Sequence, residues 1–136
     1  MKNLLLIVLF FTASIGFSQE NVDVKGNTVT IRETAPVWPG CENSKDQKAC
    51  FNQHLMEHIK NNYKYPRDKD GKFIRGKATI SMDIDENGKV DIKSIEADKP
   101  EVKAAAREMI LKIPKMTPGR RGGKAAAIGY KIPLNL

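Results

Sequence analysis

Apolar residues recur with two different periods along this chain. "GKATISMDID" sets Ala78, Ile80, Met82 and Ile84 on one side and Thr79, Ser81, Asp83 and Asp85 on the other, the alternation of a strand with one buried face. "KVDIKSIEA" resumes the alternation at Val90 and Ile92, and Ile95 falls out of phase, which places a bulge or the strand end near Ser94. The chain closes on "AAAIGYKIPLNL", where Ala126, Ile128, Tyr130 and Ile132 share one face and Pro133 at the far end marks an edge strand. Two other stretches carry the helical period. Phe51, Leu55 and Ile59 repeat every fourth position, and Val102, Ala105, Ala106, Met109, Ile110 and Ile113 form a continuous stripe.

Punctuation residues bound these segments. Ser44 with Gln47 forms a capping box before the first helix, and Tyr65–Pro66 stops it, because a residue before proline avoids the helical region. Asp98 as N-cap, Pro100 in the first turn and Glu101 open the second helix, which Pro114 ends. Asn87–Gly88 predicts a two-residue hairpin corner between the first two strands. Upstream, the alternating run from Thr28 to Arg32, followed by Pro36, Pro39 and Gly40, predicts a short edge strand or an extended arm and then a loop. The order helix, hairpin, helix, strand predicts an α+β domain in which two helices pack on the apolar face of a three-stranded antiparallel sheet, with an additional N-terminal edge strand as an option. The expected organisation is a leader over 1–18, an extended arm over 19–37 and one folded domain over 38–136.

The leader is expected from "MKN" followed by the apolar "LLLIVLFF" and the small and polar "TASIGFS", with Ser18 as the candidate cleavage position. The alternative is an uncleaved segment anchoring the chain in the inner membrane, although the strongly apolar run falls short of the ~20 residues of a spanning helix. Cleavage predicts a periplasmic protein and takes the formal charge from +7 to +6 with the loss of Lys2. Lys and Arg are interleaved with Asp and Glu, a solvated surface with no nucleic-acid-binding motif. Export also favours one disulfide between Cys41 and Cys50, the only two cysteines, worth about 2.5 kcal/mol in the chain-entropy picture. Free buried thiols are the alternative, and zinc is disfavoured because two cysteines nine apart lack the paired spacing of a structural site.

Three stretches imitate chemical motifs. Asp83, Asp85, Asn87 and Gly88 match the first half of an EF-hand loop, but Ser94 stands where the bidentate glutamate belongs and the flanks alternate as strands. His54, Glu57 and His58 match the inverted zinc-peptidase pattern H-x-x-E-H without a third ligand. "GRRGGKA" is one residue short of a phosphate loop and has Ala125 in place of its hydroxyl. No nucleophile with a recognisable surrounding motif appears, so the expectation is a non-catalytic domain without cofactor, metal or small-molecule substrate.

The ordered set "WPGC", Tyr65–Pro66, "GKATISMDIDENGKV", "IPKMTPG" and "GYKIPLNL" resembles the C-terminal domain of the TonB energy-transducer family, over about Trp38 to Leu136. The chain departs from the family at Met116, where tryptophan is frequent, and at Leu136, where a final phenylalanine is frequent, and with the leader cleaved it is expected to lack the family's membrane-spanning anchor and proline-rich spacer. The resemblance therefore implies the fold and a binding mode more than energy transduction. It implies that the last strand, given as Ala125, Ala126, Ala127, Ile128, Gly129, Tyr130, Lys131 and Ile132, accepts an extended segment of an outer-membrane TonB-dependent transporter or a related envelope protein, with Tyr65 and Pro66 touching the same partner. On that reading the Ile128 N–H is one of the donors. The alternative is a structural envelope domain whose exposed edge pairs with a second copy, giving a homodimer.

Overall fold

The eight residues from Lys77 to Ile84 organise the fold, because both of their edges and one of their faces are covered. In the computed structural model the described residues are 23–25, 28–30 and 32–136, so the leader expected over 1–18 lies outside them. The elements in chain order are β1 (Asp23–Lys25), β2 (Thr28–Thr30), β3 (Glu33–Thr34), α1 (Gln47–Asn62), β4 (Lys77–Ile84), β5 (Val90–Ala97), α2 (Pro100–Leu111), β6 (Arg120–Arg121), β7 (Lys124–Ala125) and β8 (Ile128–Asn135). The chain divides into two compact units, one ending at Thr30 and one from Ile31 to Leu136. In the first, β1 and β2 pair antiparallel, Asp23 opposite Thr30.

β4 is central in a three-stranded antiparallel sheet of order β5-β4-β8. Its inward residues Ala78, Ile80, Met82 and Ile84 are buried, as the alternation predicts, and each of the larger three contributes about 1.5–3 kcal/mol by leaving water. α2 lays Val102, Ala106, Met109 and Ile110 on this face, and α1 adds Phe51, Leu55 and Ile59. The two helices are tied by His58, whose Nε2–H donates to the Met109 carbonyl at 2.9 Å while its Nδ1 accepts from Asn62 Nδ2 at 3.2 Å. The α+β architecture is therefore as expected, with a second, smaller three-stranded sheet of order β3-β6-β7 beside it. An N-terminal edge strand is present as β3, Glu33–Thr34, at the edge of the smaller sheet opposite Arg121 and Arg120 and beyond the run from Thr28 to Arg32 in which one was expected; Thr28–Thr30 instead forms β2.

Local chemistry departs from expectation at the element ends. α1 is capped by Asp46, whose carboxylate accepts from the Ala49 N–H at 2.9 Å, and Ser44 donates to the Asp46 carbonyl instead of capping. α2 starts after Lys99 without a side-chain cap, because the Asp98 carboxylate is taken by the Lys77 N–H at 3.0 Å. The bulge near Ser94 is present: Ser81 faces Ser94 while Met82 faces Ile92, leaving Lys93 as the extra residue.

The corner between β4 and β5 is a three-residue loop, Glu86–Asn87–Gly88, rather than the two-residue Asn-Gly turn. A two-residue turn of that type would need Asn87 at positive φ, and no non-glycine residue described has one. Asp85 builds the loop, its carboxylate accepting from the Asn87 and Lys89 N–H groups at 2.8 and 2.9 Å and its carbonyl from Gly88 N–H at 2.9 Å. "DKDGK" repeats the arrangement: Asp68 Oδ1 accepts from Asp70 and Lys72, both at 2.9 Å, and Gly71 takes φ +79° beside +80° at Gly88. An Asp carboxylate and a glycine at positive φ thus close both turns, and Asp85 is engaged with backbone rather than with a cation.

The two glycines differ in what surrounds them. The Gly88 carbonyl accepts from Met116 N–H at 2.8 Å, and a Cβ on Gly88 would sit 1.7 Å from the Met116 oxygen, whereas a Cβ on Gly71 meets open space. Thr117 then exchanges N–H and carbonyl with Val37 at 3.1 and 3.0 Å, so the segment "IPKMTPG" is stitched on both sides with the Met116 side chain buried. Gly71→Ala is expected to lose about 1 kcal/mol, the left-handed backbone penalty alone, and Gly88→Ala about 3 kcal/mol or more, since Met116 must be displaced as well. Urea unfolding of the two variants checks this, and equal losses would contradict it.

Candidate functional site

The free edge of β8 is the candidate site, and its register decides which atoms it offers. Gly76 and Leu136 exchange both backbone hydrogen bonds at 2.8 Å, which makes them a hydrogen-bonded antiparallel pair. The register then runs from Lys77–Asn135 to Ile84–Ile128 without a shift. Strand alternation therefore turns the N–H and C=O of Ile128, Tyr130, Ile132 and Leu134 toward β4, and those of Gly129, Lys131, Pro133 and Asn135 outward. The Asp98 N–H to Lys77 carbonyl bond at 3.1 Å, on the opposite edge of β4, obeys the same parity.

Three consequences follow for the residues expected at the site. Ala125 lies in β7, opposite Arg120, and Ala126 and Ala127 lie in the link before β8, with Ala126 N–H donating to the Gly119 carbonyl at 3.0 Å. The strand begins at Ile128 and continues past Ile132 to Asn135. Of the expected residues within β8, Gly129 and Lys131 direct their amides outward, and the Ile128 N–H is turned toward β4, so it is not a donor to an added strand. Pro133 sits within β8 opposite Thr79, where its missing N–H would have pointed to solvent and costs no ladder bond.

Tyr65 belongs to a hairpin-like loop closed by the Asp68 turn, with Arg67 bridged to Phe73 and Ile74 N–H donating to the Pro66 carbonyl at 2.8 Å. Its ring meets Tyr63 edge-on at 4.9 Å and Phe73 at 5.6 Å, and the guanidinium groups of Arg75 and Arg67 lie over Tyr65 and Phe73 at 5.1 and 4.1 Å. Tyr65 and the end of β8 share an open groove of about 450 Å³, lined chiefly by Met56, Ile59, Tyr63, Tyr65 and Leu136. The structure thus brings Tyr65 to the far end of the edge strand, and Pro66 acts one residue behind it through its carbonyl. Met56 and Phe73, both exposed, are members of this surface that sequence periodicity did not single out.

The other face of the sheet beside the edge is charged. Lys93 Nζ lies 2.5 Å from Asp91 Oδ2 and 3.5 Å from Asp83 Oδ2, and the bond to Asp91 holds the ammonium above its ordinary value. On the inward face Tyr130 stacks on Phe51 at 5.2 Å, and burial, then the Glu33 carboxylate, raises its hydroxyl above 10.0. Burial, then Tyr65, does the same for Tyr63. The H-x-x-E-H triad does not converge on a metal: both ring nitrogens of His58 are engaged, and His54 lies parallel to Trp38 at 6.1 Å. Cys41 and Cys50 are joined as a disulfide, with their Cα atoms 5.9 Å apart.

A family model described as Gram-negative bacterial TonB protein C-terminal matches residues 61–135, more than half of the chain. The chain belongs to the TonB C-terminal family. The match starts at the end of α1, so the TonB region covers the Tyr65 loop, the main sheet and α2, while Trp38, the disulfide and most of α1 precede it. No curated protein and no solved structure gave a significant match. Among the described residues of this TonB-family chain, no helix is long and apolar enough to cross a membrane.

The parity is open to measurement. Amide exchange at Gly129 and Lys131 is expected to be faster by about tenfold or more than at Tyr130, Ile132 and Leu134, and uniform protection along β8 would refute the outward orientation. Alkaline melting tests Tyr130. With its folded value raised, the unfolded chain loses the phenolic proton first, so stability present below pH 10.0 falls as the pH rises beyond it. Tyr130→Phe is expected to show a shallower fall in Tm above that pH, and an unchanged slope would contradict the assignment.

Proposed function

We propose that the protein is an exported, periplasmic, non-catalytic interaction domain whose β8 edge takes up an extended segment of an outer-membrane TonB-dependent transporter or a related envelope protein, as part of TonB-dependent transmembrane transport. The observation that carries this reading is the pair of outward amides at Gly129 and Lys131 on a strand that, among the described residues, pairs with β4 alone. Two residues spaced two apart supply two N–H donors and two carbonyl acceptors in the plane of the sheet, the minimum for pairing with an incoming strand. Pro133 supplies a carbonyl but no donor, so it interrupts the donor row between Lys131 and Asn135. Leu136, Tyr65 and Met56 then provide apolar surface where the paired segment would leave the sheet.

A second reading, self-pairing through the same edge, meets an electrostatic obstacle. Any two-fold register centred on Lys131 sets two lysines directly opposite each other, which is destabilising across strands. A transporter segment carries no such restriction.

Substitution with proline separates the two sides of β8. Lys131→Pro removes an outward donor at a position of the same parity as Pro133, which the strand already accommodates, so the domain is expected to remain folded and peptide binding to fall by about tenfold or more. Ile128→Pro instead removes a bond to β4 and is expected to destabilise the fold itself. Calorimetric titration with transporter-derived peptides, accompanied by circular dichroism, reads both effects. A folded Lys131→Pro variant that binds like the parent, or a parent that dimerises and ignores the peptides, would overturn the proposal.

A further inference from the structure

We infer that reduction of the Cys41–Cys50 disulfide uncovers a zinc-type metal site made of Cys41, Cys50 and His54. Cys50 and His54 are four apart on α1 and so share a helix face, which the sequence already contains as C-x-x-x-H. The tight turns of the "WPGC" loop, with Cys41 N–H donating to the Trp38 carbonyl at 2.9 Å and Ser44 N–H to the Cys41 carbonyl at 3.1 Å, bring the other cysteine onto that face. The two sulfurs and one imidazole nitrogen all lie within 4.8 Å of one another. A tetrahedral ion with sulfur ligands at about 2.3 Å separates them by about 3.8 Å, so the three donors surround a volume of the right size once the sulfurs are no longer bonded to each other.

The surroundings suit such an ion. Cys41 is fully buried, while Cys50 and His54 are half-buried, so the cluster opens to solvent on one side and leaves a fourth position for water. The His54 ring lies within 7° of parallel to the Trp38 indole, which limits its rotation, and Glu57 Oε2 stands 3.8 Å from Nδ1, a carboxylate beside the ring that could orient it. Two thiolates and an imidazole are a donor set that favours zinc over calcium or magnesium.

The site exists in one redox state only. A disulfide has no thiolate to offer. An external dithiol supplies two electrons and two protons, becoming a disulfide itself, and the protein gains two thiols. Zn²⁺ then displaces both thiol protons as the thiolates and His54 bind it. In the bound state the ion takes over from the covalent bond in holding the Trp38 loop against α1.

The full chain, without a polyhistidine tag, is reduced, freed of reductant anaerobically and titrated with Co²⁺ as the spectroscopic probe, followed by Zn²⁺ in competition. The expected result is one ion per chain with a thiolate-to-cobalt charge-transfer band that Zn²⁺ removes, a change in emission from Trp38, the sole tryptophan, and no band in the oxidised protein. His54→Gln, at a half-buried position on the helix surface, is expected to weaken Zn²⁺ binding by about 100-fold and Glu57→Gln by about tenfold. Absence of the band in the reduced parent, unchanged affinity in folded His54→Gln, or one ion shared by two chains would each overturn the site. A reduced chain that unfolds and stays unfolded with Zn²⁺, judged by circular dichroism, would do so equally.

Discussion

The fold and its candidate function both depend on the register between β4 and β8. The reciprocal Gly76–Leu136 pair fixes it at one end, and no shift interrupts it as far as Ile84–Ile128. With side-chain period two, one choice of register sends Ile128, Tyr130, Ile132, Leu134 and Leu136 to the core and leaves Lys131 and Asn135 in water. The same choice turns the amides of the core-facing residues toward β4 and those of the solvent-facing residues outward. A slip by one residue would bury Lys131 and expose Tyr130, whose stack on Phe51 is part of what joins β8 to α1. Burial of apolar side chains thus selects which backbone groups of β8 face outward.

A second constraint holds the first in place. The β4–β5 corner is more than a connection, because Gly88 receives Met116 and through it the segment that leads from α2 to β6. That segment is pinned to Val37 on its other side, and Val37 adjoins Trp38, which packs against Phe51, His54 and His58. The small β3-β6-β7 sheet hangs from the same segment through Thr34 and Arg120, with Arg121 joined to the Glu33 carboxylate at 2.8 Å. Loops of a small domain are ordinarily its least stable parts. Here they are sewn to each other by backbone bonds around Met116, so the β4–β5 corner and the Trp38 loop that packs on α1 share one support.

Much of this was legible in the sequence because burial writes periodicity directly. The faces of β4 and both helix stripes follow residue by residue from the positions of Ile80, Met82, Ile84, Phe51, Val102 and their neighbours. The α+β class, the bulge beside Ser94 and the family resemblance followed too. What the pattern could not supply was competition for shared polar groups. Asp98 reads as a helix cap until Lys77, distant in sequence, claims its carboxylate, and Asp46 outcompetes Ser44 because the backbone enters α1 two residues later. Asn87–Gly88 reads as a two-residue turn because the pair favours it, yet the carboxylate of Asp85 stabilises a longer loop in which only the glycine has positive φ. The alternating pattern starts the last strand three residues early, at Ala125, because a proline at position 133 reads as its far end. Register determines that a proline whose nitrogen faces solvent interrupts nothing, and register is a tertiary property.

The two edges of the main sheet are treated differently, and the difference supports assigning one of them to recognition. On β5 the extra residue Lys93 breaks the row of amides in mid-strand and re-aims an ammonium at Asp91 and Asp83, a combination of bulge and charge that discourages pairing. On β8 the register runs without a shift, and the protective devices are Pro133, which removes one outward donor, and the charge of Lys131, while Gly129 carries neither. Were protection from aggregation the sole requirement, a proline or a charge at position 129 would complete it. Position 129 instead holds a glycine, opposite Asp83, where an added Cβ would come within 3.2 Å of the Asp83 carboxylate oxygen. Glycine weakens an isolated strand, so its presence at an outward position trades stability for close backbone approach. An edge interrupted at Pro133, charged at Lys131 and smallest at Gly129 supports the proposal that its N-terminal end is where a partner strand would pair.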